Sequence, residues 1–149
     1  TYTSYNLEKN TYIEDTNFTV ISEICPLSSS DLLIVGYGGV ITFVLEAIEN
    51  LKAEEINATA LIPEQISPIG KKLIIEVIDR DLPILIVEES TIDFSWGAEI
   101  IAQLYDRGFN QKIHRIGSSS DCIPASIELE EKTLPQVETI TTASLNLLS

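Results

Sequence analysis

The stretch Asp31-Leu32-Leu33-Ile34-Val35-Gly36-Tyr37-Gly38-Gly39 decides the fold. Four consecutive apolar residues suit a strand covered on both faces, and the glycine-rich turn behind them leads into a helical rather than an alternating pattern. Glycines there allow a tight turn and a close approach of strand to helix. Backbone N–H groups at the start of the following helix can also hold an anion. A dinucleotide fingerprint would need glycine at position 41, which is Ile41, and an acidic residue about 20 positions on. The candidate, Glu64, lies beyond the next apolar run, after Pro63. The turn reading is therefore preferred, with Gly36, Gly38 and Gly39 kept as candidate interface or anion-binding positions.

Outward from this stretch the theme repeats. Leu32–Val35, Ala58–Ile62, Ile84–Val87 and Lys112–Ile116 start at positions 32, 58, 84 and 112, spacings of 26, 26 and 28. Each of the first three is followed by a stripe of period 3.6: Phe43, Val44, Ala47, Ile48 and Leu51, then Leu73, Ile74, Val77 and Ile78, then Ile100, Ile101, Leu104 and Tyr105. Strand plus helix at this spacing marks βαβ units and a parallel sheet. Ser67-Pro68 reads as the cap and first turn of the second helix. The third helix is expected to begin near Ser95 and stop at Gly108. The last runs from about Pro135 through Val137, Ile140 and Leu147, with Thr133 and Gln136 at capping-box spacing.

Residues 1–30 differ. Thr1–Thr16 is polar and reads as an extended linker, whereas Phe18–Ile24 reads as an edge strand, antiparallel if it joins the sheet. The expected architecture is a doubly wound, three-layer α/β/α domain over 31–149. Its sheet is mainly parallel, of about five strands.

Composition narrows the function. A net charge of −14 with only nine Lys and Arg is wrong for nucleic acid or anionic membrane, both of which need positive surface. It suits a basic partner, or simply solubility. No apolar run approaches the ~20 residues of a membrane span. Thr1–Asn17 has no basic patch followed by an apolar stretch, so no secretory leader is expected and the expected location is cytoplasmic. The chain contains no Met, which fits either loss of an initiator before Thr1 or excision from a longer polypeptide. Cys25 and Cys122 are far apart and form no metal motif, so both are read as free thiols.

Further positions carry side chains capable of chemistry or contact. Glu88 and Glu89 end the third apolar run at the strand edge where open α/β sheets place ligands or interfaces. Neighbouring strand residues point to opposite faces, so the two are no acid/base pair. A solvated strand end is the preferred reading, with Glu89 kept as a candidate. Trp96, the only tryptophan, is a candidate interface anchor or a packing residue over the strand ends. His114, the only histidine, has no triad partner at motif spacing and is read as core or edge packing. Asp121-Cys122-Ile123-Pro124 reads as a structured connection to the final helix, with Asp121 a candidate interface residue.

Taken in order, Asp31–Gly39, Leu61-Ile62-Pro63 with Ile66-Ser67-Pro68, Ile86-Val87-Glu88-Glu89 with Gly97-Ala98-Glu99-Ile100, Asp121–Pro124, and Leu129-Glu130 with Leu134-Pro135 resemble the C-terminal domain of the transketolase family. The likeness is strongest to the beta subunit of thiamine-diphosphate-dependent pyruvate and branched-chain 2-oxoacid dehydrogenases. Phe94-Ser95-Trp96 departs from that family's glycine-rich approach to Gly97. The resemblance implies an assembly domain, inactive alone, of an oxidoreductase or a transferase. Thiamine diphosphate and magnesium would bind to domains that this chain lacks, and no catalytic residue is assigned here. It further implies partners: the other domains or alpha subunit of the same enzyme, the basic subunit-binding domain of the acyltransferase core, and a second copy across the family dimer interface. From the residues alone, a stand-alone nucleotide- or anion-binding module using the Gly36–Gly39 turn stays open.

Overall fold

Strand β3 (Leu32–Gly36) is buried along its whole length, and the rest of the chain is laid around it. The computed structural model describes residues 5–14, 17–26, 29–118 and 133–149; for 5–14, 17–20, 22 and 26 it describes the backbone alone. The elements follow as β1 (Tyr5–Glu14), β2 (Asn17–Pro26), β3, α1 (Val40–Ala53), β4 (Ala58–Pro63), α2 (Lys71–Arg80), β5 (Ile84–Val87), α3 (Trp96–Asp106), β6 (Ile113–Ile116) and α4 (Val137–Leu148). The strands form one sheet in the order β1-β2-β4-β3-β5-β6. β3 runs parallel to β4 on one side and to β5 on the other, and β5 runs parallel to β6. β2 is antiparallel to β4, and β1 to β2.

Alternation along each strand feeds two cores. Leu33, Val35, Ile84 and Ile86 pack with Leu73, Ile74 and Val77 of α2 and Ile100 and Leu104 of α3. Leu32, Ile34, Leu85 and Val87 point the other way, against Val44, Ala47, Ile48 and Leu51 of α1 and Ile140 and Leu147 of α4. Each fully buried Leu or Ile removes enough apolar surface to contribute about 1.5–3 kcal/mol. The expected three-layer, mainly parallel architecture is the one observed. Because α1 leaves β3 on one face and α3 leaves β5 on the other, the crevice between the carboxyl ends of β3 and β5 is the topological switch point of the sheet.

Several local features differ from expectation. Tyr5–Glu14, read as linker, is a strand paired with β2 from Tyr5↔Pro26 to Glu14↔Asn17, so the described residues form a sheet of six strands where about five were expected. Its apolar content is too sparse for a periodic signal; backbone hydrogen bonding to β2 makes the strand. Ser67-Pro68 does not open α2. It forms a cis peptide in the preceding turn, and the helix starts at Lys71 after Gly70. The Thr133–Gln136 capping box does not form: Gln136 is the N-cap of α4 and its side chain donates to the Leu134 carbonyl. The antiparallel edge strand β2 is tied to α2 by Arg80, whose Nη2 lies 2.8 Å from the buried Glu23 carboxylate.

Candidate functional site at the carboxyl edge of the sheet

Gly36 is glycine because β5 passes too close for a side chain: a Cβ there would lie 2.9 Å from the Val87 carbonyl oxygen. The chain then turns through Gly38 at φ 73, a left-handed conformation that favours glycine. Gly39 caps α1 without a side-chain acceptor of its own. The missing acceptor comes from just beyond β5: the Gly39 N–H donates to the Glu89 carboxylate. A Cβ on Gly38 would sit 2.5 Å from that same carboxylate. The glycine turn is thus an anion cradle filled by the chain's own anion. A phosphate placed there would meet a like charge.

Glu88 does the matching work on the opposite layer. It is fully buried, against the expectation of a solvated strand end. Its carboxylate accepts the Gly97 N–H at 3.0 Å, the Ser95 hydroxyl at 2.7 Å and the Ser90 hydroxyl at 3.3 Å. The Arg115 guanidinium lies 3.7 Å away. A buried carboxylate is costly unless donors and a counter-charge satisfy it, and here three hydrogen bonds and the nearby guanidinium do so. Gly97 must be glycine because a Cβ would come 2.6 Å from Glu88 Oε1. Ser95 stands at the N-cap of α3, but its hydroxyl serves Glu88 rather than its own helix.

Arg115 extends the network. Its Nη1 also donates to the Ile92 carbonyl and the Ser95 Oγ, each at 2.9 Å. It therefore braces the loop between β5 and α3 from the neighbouring strand β6. Trp96 is half-buried beside this loop and meets Tyr37 edge-on, with ring centroids 5.0 Å apart. Its indole N–H is buried and has no acceptor among the described residues.

Of the candidate positions, Gly36, Gly38, Gly39, Glu89 and Trp96 gather around the switch point. Asp121 lies outside the described residues. His114 is exposed on β6, beside a shallow groove shared with Ala143 and Asn146 of α4. Sequence reading missed Glu88, Ser95 and Arg115 as a unit. The one local signal was a carboxylate followed by Ser90, Ser95 and Gly97, all able to donate to it; Arg115 is 27 positions away and joins only through β5–β6 pairing. No helix among the described residues is long and apolar enough to cross a membrane.

Comparison with known proteins gives a consistent picture. The family model "Transketolase, C-terminal domain" matches residues 26–140. The 1-deoxy-D-xylulose-5-phosphate synthase of Geobacillus sp. (strain WCH70) is 30% identical over 88 residues, 58% of this chain and 14% of that protein. The acetoin:2,6-dichlorophenolindophenol oxidoreductase subunit beta of Bacillus subtilis is 28% identical over 122 residues, 80% of this chain and 36% of the relative. Among solved structures, a split-gene transketolase described as an inactive beta4 tetramer superposes with a TM-score of 0.68 at 22% identity, covering 85% of this chain and 42% of that one. A Pichia stipitis transketolase mutant gives 0.58 at 18% identity, over 86% and 18% respectively. The chain spans less than half the length of each of these proteins. With most of its length matched by the family model and the same fold in the solved structures, the chain belongs to the transketolase C-terminal domain family.

Proposed function

We propose that this chain is the C-terminal assembly domain of a thiamine-diphosphate-dependent 2-oxoacid dehydrogenase beta subunit of the pyruvate or branched-chain type, working in the cytoplasm. It would join the cofactor-bearing domains or alpha subunit of its enzyme, pair with a second copy, and offer a face to the basic subunit-binding domain of the acyltransferase core. The observation that carries this reading is the filled switch point. The crevice where an open α/β sheet would ordinarily take a ligand is closed by Glu88 and Glu89, each satisfied by donors of the chain itself. A domain whose usual ligand site serves its own helix termini is suited to holding a shape for partners. The long match to the acetoin oxidoreductase beta subunit, over 80% of the chain, favours the dehydrogenase branch.

Thiamine diphosphate carries a diphosphate held through magnesium. The Gly36–Gly39 turn does not fit that group, because Glu89 stands in it. The residues of this turn therefore supply no step of the cofactor's chemistry. In this reading the cofactor belongs to the partner domains.

Calorimetric titration of the chain with an isolated acyltransferase subunit-binding domain tests the proposal. A saturable complex at low salt that weakens at moderate salt is expected, because an acidic face meeting a basic one is screened by ions. Absence of any complex at low salt would count against the docking role.

A further inference from the structure

Phe94 is out of place by two independent measures. It is completely exposed, at 107%. Its φ is 53, in the left-handed region that side chains with a Cβ rarely adopt. Neither property helps the fold, since the aromatic ring reaches no core and a glycine would take this backbone without strain. Yet the loop is held firmly on both sides of it. Arg115 donates to the Ile92 carbonyl and to the Ser95 hydroxyl oxygen, and Ser95 in turn donates to the buried Glu88 carboxylate. An aromatic side chain is thereby presented to solvent on a braced loop, which lowers the ordering cost of any contact made there.

The surroundings indicate what would make that contact. Ile92, on the same loop, is 42% exposed, and Ile66 is 41% exposed. Ile66 lines, with Ser67, Pro68, Ile69, Trp96 and Glu99, a groove of about 370 Å³, and Trp96 is two residues beyond Phe94 in the chain. Asp93 and Glu99 are exposed and have no ion pair among the described residues. Arg115, the cation of the loop's network, is turned inward to Glu88. Exposed apolar side chains interspersed with carboxylates that have no ion pair among the described residues complement a basic segment. A second copy, itself at −14, would bring like charge.

Resting on the assembly role proposed above, we propose that the Ser90–Ser95 loop and the groove beside Trp96 form a docking surface for a basic polypeptide segment that seats an apolar side chain against Phe94. Trp96 is the sole tryptophan, so its fluorescence reads this site without a label. The whole chain would be titrated with a short peptide alternating Lys and Leu, and with its counterpart carrying Glu for Lys.

A saturable change in emission is expected with the basic peptide only, weakened at least about ten-fold in Phe94→Gly and in Glu99→Lys. Phe94→Gly suits the local φ, so its thermal midpoint should hold or rise, and lost binding would not reflect lost folding. Equal binding by Phe94→Gly, equal binding of the acidic peptide, or no saturable change would overturn the assignment. So would a concentration-dependent dimer abolished by Phe94→Gly, which would give the surface to a second copy. If Phe94→Gly keeps full affinity for the acyltransferase domain and for the basic peptide, the assembly role stands and this surface alone is withdrawn. If the wild-type chain binds the peptide but not the acyltransferase domain, the docking role falls and this surface stands.

Discussion

Glu88 and Glu89 are neighbours in the chain, yet they cap helices on opposite layers of the sheet. Glu88 accepts the Gly97 N–H near the start of α3, and Glu89 accepts the Gly39 N–H at the start of α1. Alternation at the end of β5 sends consecutive side chains to opposite faces. Both helices lack a side-chain cap of their own. One strand end therefore supplies two helices with the negative charge that their N-termini favour.

Removing the buried carboxylate should be the more damaging change. Glu88→Ala leaves the Gly97 N–H and the Ser90 and Ser95 hydroxyls without the carboxylate, and Arg115 without its nearby counter-charge, a loss of about 3 kcal/mol. Glu88→Gln keeps the shape but turns an NH₂ toward donors, and should cost about 1–2 kcal/mol. Urea midpoints at constant m-value measure both. A loss below about 1 kcal/mol for Glu88→Ala would mean that water replaces the carboxylate freely.

Glu89 is partly exposed, so its loss should be milder. Glu89→Ala is expected to destabilise by about 0.5–1 kcal/mol, the usual worth of a charge at a helix N-terminus. It should also empty the glycine cradle. Sulfate should then raise the thermal midpoint of the variant more than that of the wild-type chain, since an anion can take the vacated N–H. Identical sulfate responses would show that the turn does not bind anions once Glu89 is gone.

Two glycines should respond to alanine for different reasons. At Gly97 the added Cβ would lie 2.6 Å from Glu88 Oε1 and 3.0 Å from Ile86 Cγ2, so Gly97→Ala must displace packed groups, at a cost of about 1–3 kcal/mol. At Gly108 an added Cβ would meet nothing within 4 Å beyond its chain neighbours, but φ is 79, so Gly108→Ala carries only backbone strain of about 1 kcal/mol. Because the first change disturbs the Glu88 network, pairing it with Glu88→Ala should be less than additive. Gly108→Ala with Glu88→Ala should add. A double-mutant cycle by urea unfolding separates the two cases.

The N-terminal hairpin offers a test on the scale of an element. Deleting residues 1–16 removes β1, which pairs with β2 across ten residue positions, and leaves β2 as a bare antiparallel edge. An unpaired edge is a template for another chain. The truncated protein is expected to melt lower and to self-associate in light scattering. An unchanged association state and an unchanged midpoint would show that β1 adds nothing to the sheet.

The parallel core was legible from the chain alone. Runs at 32, 58, 84 and 112 with helical stripes between them could bury their apolar residues only as strands between two helical layers, and β3 to β6 with α1 to α3 occupy those positions. β1 was not legible, because its partner makes it a strand and its own periodicity does not. The role of Glu88 was hidden for a related reason. Nothing local distinguishes it from Glu89, and only the β5–β6 pairing brings Arg115 beside it.

What the sequence by itself determined is where the central strands lie along the chain, their parallel direction and the stripe each helix buries, because these follow from short-range periodicity and the aversion of apolar side chains to water. What only the tertiary structure decided is which of two adjacent carboxylates is buried, which helix each one caps, and that Phe94 is left facing solvent. Those outcomes depend on donors and neighbours brought together from distant parts of the chain, and a hydrogen bond exists only where distance and direction are both met.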